Sequence, residues 1–213
     1  MDPSKTATDV FEEWGRDARA DRMASHHWPL VRQAFDLIPD MPGNYLEIGV
    51  GNGYGIRHMA THQFSGARCF GVDLAASMVA LSRRNTGHLS NVFIEQGNFL
   101  EWSAPAGESF ALIFSMEVFY YLPDIQTGID HARSLLEPGG QLWVLVNYYT
   151  ENTVSHDWPQ RLRTPMRMWS MQDYRDGFHR AGFSGVKQAQ IHDPRPEAIV
   201  DGPALCTMGI RAP

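Results

Sequence analysis

Two cysteines in 213 residues are too few for a framework of several disulfides, and neither Cys69 nor Cys206 stands in a CxxC or metal-ligand spacing. Reduced, buried thiols are expected. No apolar run approaches the roughly 18 residues needed to span a bilayer, and the opening segment does not combine a basic stretch, an apolar run and a cleavage site. The expectation is a cytoplasmic protein without membrane insertion. Positive charge is also scarce: 18 Lys and Arg against 24 Asp and Glu leave −6, with lysine only at positions 5 and 187. Without an overall positive field to gather phosphates, a general nucleic-acid or anionic-membrane binder is disfavoured, while local basic patches stay open.

What is present is apolar surface. With 43% hydrophobic and 11% aromatic residues, the chain can offset its ordering entropy, which excludes a disordered or fibrous protein. Neither repeats nor low-complexity tracts divide it, so one domain is expected over 1–213. Short runs rich in β-branched or aromatic residues at 44–48, 68–72, 92–95, 110–115 and 141–147 read as buried parallel strands. Between them, 55–64, 75–85 and 125–137 have helical spacing, the last closed by Pro138-Gly139-Gly140. The class is therefore α/β. A helix at 170–181 and strands at 183–192 and 204–211 follow, the two strands pairing as an antiparallel hairpin at one sheet edge. Two amphipathic stretches before Pro39 form a helical cover (1–39) over a core (40–213).

Chemistry concentrates in Glu47-Ile48-Gly49-Val50-Gly51-Asn52-Gly53, which follows a strand and precedes a helix. Glycines let the backbone turn sharply and approach a ligand, and the helix start offers N–H groups. About twenty residues later the second strand ends at Asp73, where a carboxylate can accept both ribose hydroxyls of an adenosine cofactor. A dinucleotide GxGxxG begun at Gly49 needs glycine at 54, where Tyr54 stands; the spacing is GxGxG. Here the sequence resembles the class I S-adenosylmethionine-dependent methyltransferases, whose first motif is an acidic residue, an apolar residue and GxGxG. The resemblance runs over roughly 40–211. Gly97-Asn98-Phe99 matches the segment after the third strand, with Asn98 where the family often has Asp. Residues 110–123 resemble the fourth-strand motif, with Ala111 in place of a frequent acidic residue. Leu135-Leu136-Glu137-Pro138-Gly139-Gly140 is close to the family's LLKPGG, and Ala181-Gly182-Phe183 matches AGF.

That resemblance implies a Rossmann-like, doubly wound seven-stranded sheet with its last strand antiparallel. It implies S-adenosyl-L-methionine held by Glu47, Gly49, Gly51, Gly53, Asp73, Leu74, Met78, Asn98, Phe99, Ser115 and Met116. Leu74 and Met78 would lie beside the adenine, Ser115 and Met116 beside the methionine moiety. The pattern is most similar to the small-molecule branch that includes the quinone-biosynthesis methyltransferases.

The irregular segment 148–169 is long for a structureless connection and reads as a substrate-side insertion. Tyr149 and His156 within it, and Glu117 just beyond the fourth strand, are the catalytic candidates; Trp158 is a candidate pocket wall. Trp14, Arg16, Arg19 and Arg22 are placed to close over the cofactor, an arginine meeting its carboxylate. Arg161, Arg163 and Arg167 read as solvated, or as a site for an anionic substrate. His26 and His27 read as packing or surface residues, and His58 with His62 has two-ligand spacing but no third ligand, so no metal is expected. The reading is methyl transfer to a small-molecule acceptor, with monomer and homodimer both open. The alternatives are a nicotinamide-dependent oxidoreductase and a noncatalytic cofactor-binding protein.

Overall fold

Seven strands form a single sheet in the order β3-β2-β1-β4-β5-β7-β6 in a computed structural model that describes residues 6–195 and 202–212. They are β1 (Asn44–Ile48), β2 (Cys69–Asp73), β3 (Val92–Gln96), β4 (Phe110–Met116), β5 (Leu136–Val146), β6 (Phe183–Ile191) and β7 (Ala204–Arg211). β7 runs antiparallel to both β5 and β6, and the other pairings are parallel. The expected hairpin is therefore present, with β7 inserted so that β6 becomes the edge.

Helices cover both faces, as parallel strands buried on two sides require. They are α1 (Ala7–Trp14), α2 (Arg19–Leu37), α3 (Tyr54–Thr61), α4 (Ala76–Thr86), α5 (Ile125–Leu135), α6 (Trp158–Leu162) and α7 (Met171–Arg180). On one face Leu46, Ile48, Leu142, Val144 and Val146 meet Ile125 and Ile129 of α5 and Tyr174 and Phe178 of α7. On the other, Tyr45, Phe114, Trp143 and Leu145 meet Val31 and Phe35 of α2 and Ile56 and Met59 of α3. Every residue of β4 is buried and all but Ser115 are apolar, with the side chains dividing between the two cores. Full burial of one such Phe contributes about 1.5–3 kcal/mol.

Local signals set the helix starts. Thr6 and Asp9 form a capping box on α1, Ser170 and Asp173 another on α7, and Asp124 accepts the Gln126 and Thr127 N–H groups at the head of α5. One boundary differs from expectation. The helix expected to run to 137 stops at Leu135, because Leu136 already pairs with Phe110; residues 137–140 then bulge out before Gln141 pairs with Leu112. Gly139 takes φ +83° there, and a Cβ on Gly140 would stand 2.7 Å from the Phe110 carbonyl oxygen. No helix among the described residues is long and apolar enough to cross a membrane.

Candidate active site

The turn after β1 is built by glycine for reasons of both torsion and space. Gly49, Gly51 and Gly53 take φ of 70°, 54° and 85°, where a Cβ is penalised. At Gly49 a Cβ would also lie 2.2 Å from Val118 Cγ2. The Gly49 and Val50 N–H groups both donate to the Val72 carbonyl, at 2.8 and 3.2 Å, tying the turn to the end of β2. Gly53 caps α3.

Asp73 lies beside this turn, its Oδ2 accepting the Gly51 N–H at 2.9 Å and its Oδ1 the Ala75 N–H at 3.0 Å. Burial raises its carboxyl above the ordinary range, opposed by those donors. Glu47 accepts the Tyr45 hydroxyl at 2.8 Å. Its carboxyl is pushed up to about 8, by burial first, with the Tyr45 bond opposing and the charge of Asp73 adding. Glycine at 55 makes room for it, since a Cβ there would stand 2.6 Å from Glu47 Oε1.

The strand ends floor a cavity of about 780 Å³, well within the range for small-molecule sites. Glu47, Gly49 and Gly51 line it from the turn; Asp73, Leu74 and Met78 from beyond β2; Asn98 and Phe99 from beyond β3; and Met116 and Glu117 from β4 onward. Leu74 is 47% exposed above the buried Met78, an apolar ledge beside the Asp73 carboxylate. Of the expected cofactor residues, Gly53 and Ser115 stand outside the lining. Gly53 sits against Ser82, and Ser115 Oγ donates to the Ile48 carbonyl at 3.2 Å, joining β4 to β1. Asn98 is fixed by its own loop: Oδ1 accepts the Leu100 N–H at 3.2 Å and Nδ2 donates to Glu101 at 3.0 Å. Its oxygen keeps a second lone pair.

The three catalytic candidates separate. Glu117 lines the cavity, buried, at φ 59°, a conformation costly for a non-glycine residue. Its Oε2 accepts the Tyr120 hydroxyl at 2.5 Å and its Oε1 accepts the Asn147 backbone N–H, so both oxygens are engaged. Burial, then the charge of Glu117, raises the Tyr120 hydroxyl well above its ordinary value. Tyr149 and His156 do not line the cavity. The Tyr149 hydroxyl donates to the Pro203 carbonyl at 3.2 Å and accepts from Gln190 at 3.0 Å, and His156 Nε2 lies 3.0 Å from the Thr150 carbonyl. From the same segment it is Trp158, Arg161 and Leu162, on α6, that reach the cavity.

The cover is largely as expected and in part missed. Phe11 and Trp14 of α1 line the cavity, as do Arg19, Arg22, Met23, His26 and His27 of α2. His26 and His27 are thus cavity residues. The signal for them was present, because these five α2 positions fall at i, i+3, i+4, i+7 and i+8, one helical stripe. Arg16 points elsewhere, paired with Glu12 at 3.4 Å. His58 and His62 stack at 4.1 Å, next to Phe35 and Trp28. Burial, then the neighbouring His62, lowers His58 to about 4, so the ring packs neutral.

The profile of a methyltransferase-domain family matches residues 10–188. The chain belongs to that family, the class I S-adenosylmethionine-dependent methyltransferases, and S-adenosyl-L-methionine is its cofactor. The trans-aconitate 2-methyltransferase of Rhizobium meliloti (strain 1021) is 33% identical over 118 residues, 54% of this chain and 44% of that protein. A ubiquinone biosynthesis O-methyltransferase of Brucella ovis is 27% identical over 47% of this chain and 39% of that protein. The chain thus spans less than half the length of these curated relatives. Among solved structures, a Haloferax volcanii chain in complex with the Trm112 methyltransferase activator is 29% identical. It superposes with TM-score 0.86 over 95% of this chain and 98% of that one. The N-methyltransferase NodS of Bradyrhizobium japonicum shares the fold, at 18% identity and TM-score 0.69 over 97% and 99% of the two chains.

Proposed function

We propose that this chain methylates a small molecule enclosed between the strand ends and the helical cover, as one catalytic domain. The observation that carries this is a single cavity shared by two linings. One is the cofactor turn with Asp73; the other is an aromatic wall of Phe11, Trp14, Tyr120, Tyr121 and Trp158. An acceptor of small size fits that enclosure, and the net charge of −6 is adverse to a polyanion. Asp73 would take the ribose hydroxyls, Leu74 and Met78 would flank the adenine, and the backbone around Gly49 and Gly51 would receive the methionine moiety.

When bound, the cofactor supplies a methyl group on a sulfonium; the acceptor lone pair forms the new bond while the carbon–sulfur pair stays on sulfur. The protein's part is orientation and exclusion of water. With both carboxylate oxygens held, Glu117 acts as a positioning residue that fixes Tyr120 and the end of β5, and the acceptor proton leaves to solvent. Calorimetry with S-adenosylmethionine and S-adenosylhomocysteine tests the cofactor site, and folded protein that binds neither overturns it. Binding without methyl transfer across a broad acceptor panel would favour a noncatalytic cofactor-binding protein. A second reading, dependence on an activator protein, is supported by the complex in which the Haloferax volcanii chain was solved. It expects isolated protein that binds cofactor and gains turnover only when such an activator is added.

A further inference from the structure

The cavity is divided by charge. Its acidic lining residues, Glu47, Asp73 and Glu117, all lie at or just beyond the carboxyl ends of strands. Its basic lining residues, Arg19, Arg22, His26, His27 and Arg161, all come from the covering helices α2 and α6. Among the described residues, no Asp or Glu of the cover lines the cavity. The acidic half complements a cationic cofactor. The basic half has only one anion to meet on that cofactor, its carboxylate, which leaves arginines facing the remaining space.

Arg19 is already paired, with Asp17 at 2.8 Å and Glu13 at 3.6 Å. Arg161 is held loosely, 3.8 Å from Asp157 with side chains 64% and 62% exposed, a geometry that a better oxyanion displaces readily. It stands on α6 between Trp158 and Leu162, and all three line the cavity. Arg22 faces the same cavity from α2.

Given the methyltransferase reading on which this rests, we propose that the acceptor is an acid. It is a compact, mainly apolar molecule whose oxyanion, carboxylate or phosphate, is bound by Arg161 with Arg22, leaving the atom to be methylated toward the strand ends.

The test is calorimetry on full-length protein saturated with S-adenosylhomocysteine, titrated with phenylacetate, benzyl phosphate, phenylacetamide and phenethylamine. An oxyanion is expected to bind about tenfold more tightly than the amide, and the amine more weakly still. Arg161→Gln should remove about tenfold of the oxyanion affinity while S-adenosylhomocysteine affinity, the control for folding, is kept. Preference between the carboxylate and the phosphate distinguishes the two oxyanions. The proposal is overturned by an amide or amine that binds as well as the acids, or by none of the four binding. It also fails if Arg161→Gln weakens only the cofactor product, which would assign that arginine to the cofactor carboxylate. Failure of wild-type protein to bind S-adenosylhomocysteine, seen before any probe is added, overturns the cofactor reading and this proposal together.

Discussion

At Glu47, burial and the expected cofactor charge act in opposite directions. Its folded pKa of about 8 lies above the ordinary 4.5, so the neutral form is favoured on folding. Its stabilising contribution is complete below pH 4.5 and is lost as pH rises through 8. Glu47→Gln should therefore gain on wild type between about pH 5 and about pH 8 in urea unfolding, the difference levelling above that. A pH-independent difference would remove the assignment. A cationic cofactor beside Glu47 favours the carboxylate, so binding near neutral pH should release protons. Calorimetry in two buffers of different ionisation enthalpy reads this directly, and equal heats would count against it. Gly49→Ala adds strain at φ +70° and a contact with Val118, and should cost about 1–3 kcal/mol in thermal or chemical unfolding. The left-handed torsions of the glycines and the place of Asp73 at the end of β2 were legible because each meets a requirement of type. The roles of Tyr149 and His156 were not, since aromatic and imidazole groups look alike in sequence whether they face a cavity or bond a distant carbonyl.

Elements were legible wherever period and punctuation agreed. The glycines between β1 and α3 mark a boundary that the structure keeps, and the helix expected at 170–181 is α7. Ser170→Ala removes an acceptor for the Asp173 N–H and should cost about 1 kcal/mol of global stability. Denaturant midpoints compared with a Ser184→Ala control on β6 would show whether the loss belongs to the cap. The start of β5 was misjudged because Leu136 satisfies helical and strand periodicity alike; pairing with Phe110 decides it. α6 was missed for another reason. Five residues carry too little periodicity to distinguish a single turn from a loop, although its Trp158 and Arg161 were already candidates.

For the whole molecule, the cover matters most. α1 is latched across the head of α4: Glu12 accepts the Ala76 N–H at 2.5 Å, Ser77 Oγ donates to the Phe11 carbonyl at 3.2 Å, and Phe11 and Trp14 pack on Ala75 and Met78. This small cluster is separate from the two main cores, so Trp14→Ala should weaken S-adenosylhomocysteine binding several-fold while shifting the unbound melting temperature little. A large drop in melting temperature with unchanged affinity would show that α1 is part of the core instead. The sequence by itself determined the α/β alternation, the glycine turn after β1 and the acid at the end of β2, because these follow from short-range constraints: strand periodicity, glycine torsions and fixed spacing along the chain. Only the tertiary structure decided that Tyr149 and His156 lie outside the cavity, that Glu117 accepts the Asn147 N–H, and that acids and bases divide between floor and cover. Those are distances between residues far apart in sequence, and no local property of the chain encodes them.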